Sequence, residues 1–133
     1  MFDFLGFTTN NNEDKSKKEL TSPSIVQEEF RRYEGNPIIT PNSQFLWKAR
    51  ATYNPAIVQH EGKIHIIYRA QALDGVSVFG YASTTDGVTI QENLDEPIYS
   101  PRESFEMSTK PGWNSGCEDP RITKIGNRFY MTY

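Results

Sequence analysis

The sequence is short of the residues that several common functions require. It holds one cysteine among 133 residues. Cys117 therefore has no partner for an internal disulfide, which fits a reducing compartment. With only two histidines beside it, His60 and His65, the lone thiol excludes a structural zinc site, and no metal is expected. No apolar run approaches the roughly 20 residues needed to span a bilayer, so no membrane partner is expected. The opening Met1-Phe2-Asp3-Phe4-Leu5-Gly6-Phe7 is apolar, yet it lacks a basic start and runs into Asn10-Asn11-Asn12. That is not the form of a signal peptide, and a cytoplasmic protein is the default expectation. Positive charge is also scarce. The formal charge is −3, and the densest basic cluster is Lys15-Ser16-Lys17-Lys18, in a polar, solvated stretch. A general nucleic-acid partner is excluded on that ground. The sequence has no phosphate-binding glycine loop, dinucleotide fingerprint or serine-hydrolase elbow, and no cofactor is expected.

What the sequence does have is aromatic residues, at 13%, with eight prolines and nine glycines. That balance favours short strands and many turns over long helices. Residues 1–35 read as a leader, polar enough from Asn10 to Lys18 to be partly mobile. Within it, Ser24 with Gln27 three positions on fits a capping box, and Gly35 is placed to end a short helix. An extended lead-in is the alternative.

From Asn36 the apolar period changes to two. Lys63-Ile64-His65-Ile66-Ile67-Tyr68-Arg69 puts Ile64, Ile66 and Tyr68 on one face and His65, Ile67 and Arg69 on the other. It reads as a strand started by the Glu61-Gly62 turn, with Ala56-Ile57-Val58-Gln59-His60 as its hairpin partner. Val76 to Ser83 reads as a third strand. Thr85-Asp86-Gly87 after it carries the Asp-Gly chemistry of a tight hairpin.

Three blocks then recur in order. Asn36-Pro37-Ile38-Ile39-Thr40-Pro41 returns as Glu96-Pro97-Ile98-Tyr99-Ser100-Pro101, and Asn54-Pro55-Ala56-Ile57-Val58 as Asp119-Pro120-Arg121-Ile122-Thr123. Gly62-Lys63-Ile64-His65-Ile66-Ile67-Tyr68 returns as Gly126-Asn127-Arg128-Phe129-Tyr130-Met131-Thr132, so the offsets are 60, 65 and 64. Repeats of several short strands point to propeller blades. Residues 36–133 then amount to one blade and the start of a second, whereas closed propellers need about four to eight. Because the chain stops inside an apolar strand, the expectation is a truncated piece that is inactive by itself.

The repeat also suggests where chemistry sits. Asn54 and Asp119 occupy equivalent positions, so both side chains are expected to face one central funnel. The proline after each is expected to hold it extended. Gly116-Cys117-Glu118-Asp119-Pro120-Arg121 gathers two carboxylates, a thiol and a guanidinium. Strand alternation would turn Glu118 and Asp119 to opposite faces. One would then face the funnel while the other makes a supporting contact, with Arg121 as the candidate. The plainer reading of this stretch is a solvated acidic turn. Arg69 either snorkels at a strand end or binds an anion. Cys117 reads as a small apolar residue rather than a nucleophile, since no histidine is spaced to activate it. Trp47 and Trp113 either stack on sugar rings or pack the blades.

Taken together, Asn36-Pro37-Ile38-Ile39-Thr40-Pro41, Tyr53-Asn54-Pro55-Ala56, Tyr68-Arg69-Ala70, Ser83-Thr84-Thr85-Asp86-Gly87 and Gly116-Cys117-Glu118-Asp119-Pro120-Arg121-Ile122-Thr123 resemble the opening of glycoside hydrolase family 130. The resemblance covers about residues 30–133. It implies an all-β, five-bladed β-propeller. It also implies cleavage of β-mannosides, mostly by inorganic phosphate as co-substrate to give mannose 1-phosphate, with some members acting as hydrolases. By the same resemblance Asp119 is the catalytic general acid, thought to act through a sugar hydroxyl, and Asn54 and Arg69 line the mannose and phosphate subsite. Glu118, beside them, joins the substrate-binding candidates. A single carboxylate suits phosphorolysis, because phosphate is already an anionic nucleophile and needs no general base. An arginine fork matches phosphate oxygens and stays charged. The rivals are a β-mannoside hydrolase of the same fold, another five-bladed glycosidase cleaving arabinan or fructan, and a non-catalytic carbohydrate- or protein-binding propeller. An arabinan or fructan enzyme usually has an acidic residue where this chain has Asn54. A binding propeller needs no acid in its funnel. A homo-oligomeric parent is left open.

Overall fold

A two-residue loop sets the architecture. In the computed structural model, which describes residues 31–108, 110 and 115–133, strand β1 (Ala51–His60) turns through Glu61 and Gly62 into β2 (Lys63–Gln71). Glu61 and Gly62 both have positive φ, 48° and 76°. That is the turn whose twist matches an antiparallel pair, and it fixes His60 opposite Lys63 and Ile57 opposite Ile66. Strand β3 (Val76–Thr84) pairs antiparallel with β2, and β4 (Ile90–Asn93) pairs with the end of β3. The β3–β4 connection is not the tight hairpin that Asp-Gly suggested. It spans residues 85–89, because the Asp86 carboxylate accepts from the amides of Val88 and Thr89 and from the Thr84 hydroxyl, building a wider turn.

The other half of the β3 edge is also occupied. Tyr99 bridges Phe79, and the two-residue strand β5 (Ser115–Gly116) runs parallel to Val76 and Ser77. The side of β3 away from β2 is thus occupied by β4, Tyr99 and β5 in turn.

Both faces of this sheet are used. Ile66, Tyr68, Ala70, Val78 and Ala82 form the core on one face, covered by Ile38, Ile39, Trp47, Ile64 and Ile90. Tyr68 lies opposite Gly80, where a Cβ would sit 2.3 Å from the phenol ring, so the glycine makes the space that the ring fills. Trp47 stacks on Tyr68 with centroids 6.4 Å apart and donates to the Asp95 carbonyl. It packs the sheet, then, rather than facing out. Trp113 lies outside the described residues.

On the opposite face a second hairpin packs, β6 (Arg121–Ile125) with β7 (Arg128–Thr132). Phe129 meets His60 edge-on at 5.0 Å and Tyr133 meets Phe79 at 5.4 Å. Its ladder reproduces the first hairpin at one offset of 65. Ala56 opposite Ile67 becomes Arg121 opposite Thr132, and His60 opposite Lys63 becomes Ile125 opposite Arg128. The third sequence block is therefore shifted by one residue. Gly126 (φ 59°) is the counterpart of Glu61, not of Gly62, since the first loop position is the one that must be left-handed in both. The architecture is all-β and antiparallel apart from β5.

The helix expected from Ser24 to Gly35 falls mostly outside the described residues. Its described end, residues 31–35, is a coil that closes in a turn, with the Asn36 amide donating to the Tyr33 carbonyl. No helix among the described residues is long and apolar enough to cross a membrane.

Candidate active site

The repeat places Asn54 and Asp119 at one seam, and the local backbone aims them. The β1–β2 register slips between Tyr53 and Ala56, so Asn54 and Pro55 bulge out of the ladder. Proline has no N–H to lose there. Asn54 has φ 46° and Asp119 has φ 49°. The expected extended conformation before proline is thus replaced by a left-handed one at both positions. The proline restriction acts against the right-handed helical region, and Asn and Asp are the side chains that most readily occupy the left-handed one. The result is contact. Asn54 Nδ2 donates to Asp119 Oδ1 at 2.7 Å.

Arg69 lies beneath them, buried on β2 opposite Tyr53, whose ring it covers at 4.8 Å. Its Nε donates to Ser77 Oγ at 3.0 Å, Nη1 to Asp119 Oδ1 at 3.2 Å, and Nη2 to Glu118 Oε1 at 2.5 Å. The buried guanidinium is therefore paired on both forks rather than snorkelling. These bonds use three of its five N–H groups.

Glu118 and Asp119 do not diverge as strand neighbours would. They precede β6, and the positive φ at Asp119 breaks the pleat, so both carboxylates reach the same cation. Nor does Arg121 make the supporting contact. Its Nη1 turns back to the Pro120 carbonyl, and it touches Asp119 only through its field. The hydrogen bond from Asn54 is the main influence holding the Asp119 carboxyl below its ordinary range, with Arg69 adding to it and partial burial opposing. The Asp119 side chain is 50% exposed and Glu118 41%, while Arg69 is 8% exposed. Ligand can reach the acids while the cation stays fixed.

The segment bearing the acids is pinned to β3. Gly116 has φ 101°, and a Cβ there would meet the Ser77 carbonyl oxygen at 2.1 Å. The Cys117 amide then donates to that same Ser77 oxygen at 2.9 Å. Cys117 is fully buried, and burial pushes its thiol up to about 12, with the nearby Glu106 charge adding to the effect. It is inert as a nucleophile. Ser77 and Glu106 were not marked by the sequence, and Tyr53 and Gly116 stood there only as members of the resemblance blocks, without a role. Only the strand register could have brought Ser77 and Tyr53 to Arg69. Among the described residues no group of three or more His, Cys, Asp or Glu side chains is placed to hold a metal.

Fold and site together define an all-β repeat protein in which two acids, an amide and a guanidinium meet where one repeat passes to the next. The family described as β-1,4-mannooligosaccharide phosphorylase matches residues 17–133, and the chain belongs to it, glycoside hydrolase family 130. Two relatives from Thermoanaerobacter sp. (strain X514) are each 32% identical. A β-1,2-mannobiose phosphorylase is matched by 77% of this chain and a 1,2-β-oligomannan phosphorylase by 78%. The chain spans 35% of the length of each. Among solved structures, it matches a protein from work showing that the GH130 family of mannoside phosphorylases contains glycoside hydrolases that target β-1,2 mannosidic linkages in Candida mannan. The identity is 31% and the TM-score 0.65, over 77% of this chain and 33% of that one. A glycosyl hydrolase from Bacteroides ovatus is 30% identical with TM-score 0.64, over 76% and 32%.

Proposed function

We propose that this chain is the opening part of a five-bladed β-propeller that cleaves β-mannosides with inorganic phosphate, releasing mannose 1-phosphate in the cytoplasm. The observation that carries this reading is the shared grip on Asp119, by Asn54 from the equivalent position of the first repeat and by Arg69 beneath. Family membership and the two phosphorylase relatives support the reaction class.

The way the two repeats stack supports the propeller reading. The second hairpin presents Phe129 and Tyr133, the counterparts of Ile64 and Tyr68, to the far face of the first sheet. By the same rule, the first sheet's Ile66–Tyr68 face expects a neighbour. It carries an open, apolar trough of about 200 Å³ lined by Ile38, Tyr53, Pro55, Ile57, Ile66 and Tyr68. A ring of sheets closes when its last member fills that trough.

The chemistry divides among the site residues. A phosphate oxygen attacks the anomeric carbon, the bond to the leaving sugar breaks, and the configuration inverts. Asp119 supplies the proton for the departing oxygen, relayed through a sugar hydroxyl. In the free site Asp119 is ionised at neutral pH, because Asn54 and Arg69 favour the carboxylate. Phosphate arriving at Arg69 offsets that positive field, so co-substrate binding itself raises the acid's proton affinity. Asn54 and Glu118 orient the bound sugar. No general base is required.

The test is product identity from the full-length protein. A β-1,2- or β-1,4-mannooligosaccharide with phosphate should yield mannose 1-phosphate, and nothing without phosphate. Free mannose regardless of phosphate would move the chain to the hydrolase branch, which the solved relatives also include. No product from any mannoside would leave a binding propeller.

A further inference from the structure

A second carboxylate, Glu106, stands apart from the site just described and has an unusual set of neighbours. It ends a short 3-10 turn (Ser104–Glu106) and is buried. Its Oε2 accepts from the amides of Arg102 and Glu103 at 2.5 and 2.7 Å. Its Oε1 accepts from the hydroxyls of Tyr99 and Tyr133, at 2.8 and 2.6 Å, and from Cys117 Sγ at 3.6 Å. Those donors come from three places. Tyr99 bridges the β3 edge through Phe79, Tyr133 follows β7 in the second repeat, and Cys117 begins the segment that carries Glu118 and Asp119. Buried negative charge satisfied by five donors is costly to rearrange, because losing any one leaves polar atoms without water. Cys117 is held from the other side by the Ser77 carbonyl, whose own hydroxyl receives Arg69 Nε.

We propose that Glu106 is a positioning residue: by tying Cys117 to Tyr99 and Tyr133, it sets where Glu118 and Asp119 stand relative to Arg69 and Asn54. Asp119 lies two residues from Cys117, and the left-handed φ at Asp119 leaves its side chain direction dependent on where that segment is fixed. The bond from Tyr133 is also the main influence that brings the Glu106 carboxyl down to about 2, with the two turn amides next. It therefore works as a fixed anion at any working pH. A placement error near 1 Å can cost about 100-fold in rate, so a residue with no contact to substrate can govern turnover.

The inference rests on the reading of Asp119 as the acid only for its effect on rate. The placement itself is read independently, by alkylation of Cys117. In the full-length protein, Glu106→Gln and Tyr133→Phe are compared with wild type for the iodoacetamide labelling rate of Cys117, measured by peptide mass. Hydrogen exchange of the β1–β2 amides is followed alongside. Labelling is expected to rise at least ~10-fold while the β1–β2 amides stay within about twofold, and kcat should fall about 10–100-fold with KM little changed. Cys117→Ser, whose hydroxyl still donates to Glu106, should retain turnover that Cys117→Ala loses. Unchanged labelling overturns the proposal, as does equal acceleration across β1–β2, which would make Glu106 a general stabiliser. If labelling responds as expected while Asp119→Asn turns over normally, the acid assignment falls and the positioning of the segment stands. Should Glu106→Gln fail to fold, Tyr133→Phe, which keeps the ring against Phe79, decides alone.

Discussion

Asn54 and Asp119 are the same position of a repeat, 65 residues apart, and they touch at 2.7 Å across the seam between the two copies. Each is left-handed and each precedes proline, Asn54 at the bulge within β1 and Asp119 just ahead of β6. One copy carries the amide and the other the acid. This division lets a neutral donor from one repeat hold the carboxylate of the next, where two acids would repel.

Asn54→Asp tests that division. Two carboxylates at this distance repel each other, so the pair should titrate in two coupled steps, one raised by more than about one pH unit over a lone aspartate. Carbon-13 detected titration of the side-chain carboxyls reads this directly. Two unperturbed titrations near pH 4 would show that the contact does not persist in solution.

Asp119→Asn keeps the shape and the acceptor oxygen for Arg69 but has no proton to give. In the full-length protein kcat should fall about 10²–10⁴-fold, the usual worth of positioned acid catalysis, with substrate binding retained. Mannose 1-phosphate release under saturating phosphate measures it. Near-normal turnover removes Asp119 from the mechanism.

Strand identity and the repeat were legible because period-two patterning and the Glu61-Gly62 loop are local signals, and the β1–β2 ladder follows from them. Asn54 and Asp119 do come together as the repeat argument expected, and Arg69 and Glu118 join them, by a route the sequence hides. The bulge at Asn54-Pro55 and the left-handed Asp119 depend on the surrounding sheet rather than on the X-Pro rule, which alone favours extended chain. Glu106 was invisible for a different reason. Its partners Tyr99, Cys117 and Tyr133 are spread over 34 residues and meet only when the second hairpin docks. The wide β3–β4 turn was misjudged because Asp86 caps amides beyond the Asp-Gly pair.

Glu61 offers a stabilising change. It holds φ 48° with an L side chain, a conformation that costs roughly 1–2 kcal/mol for most residues and less for asparagine. Glu61→Asn creates Asn-Gly, the pair best suited to this loop, and should raise stability by about 0.5–1 kcal/mol. A higher urea midpoint at unchanged slope is the expected reading. A lower midpoint would argue that the contact of Glu61 with His60 at 3.6 Å outweighs the backbone strain.

Acid should destabilise the fold over a defined window. Both Glu106 and Asp119 have carboxyl pKa values lowered by folding, Glu106 from 4.5 to about 2. A group depressed in the folded state contributes stability that is complete above its unfolded value and is lost as pH falls through the folded one. Stability should therefore be flat above about pH 5 and decline steadily from there toward pH 2. Tyr133→Phe removes the largest influence on Glu106 and should shallow that decline. Melting temperature against pH for both proteins decides the matter.

Arg69 joins Ser77, Asp119 and Glu118 through one guanidinium. Its guanidinium is 8% exposed and meets Ser77, Asp119 and Glu118, so Arg69→Ala leaves two carboxylates side by side with no cation between them. Breaking a fully buried pair costs about 3–5 kcal/mol. Here the acids are roughly half in water, and screening brings the expected loss to about 1–3 kcal/mol. Arg69→Lys restores the charge but not the fork, since an ammonium cannot donate along three fixed directions to Ser77, Asp119 and Glu118 at once. It should recover less than half of the stability and little of the phosphate affinity. The two losses separate by measurement. Urea unfolding reports the first, and in the full-length protein the KM for phosphate reports the second, rising more than the KM for the mannoside. A lysine variant with wild-type phosphate KM would mean that phosphate is held elsewhere and that Arg69 serves only to fix the acids.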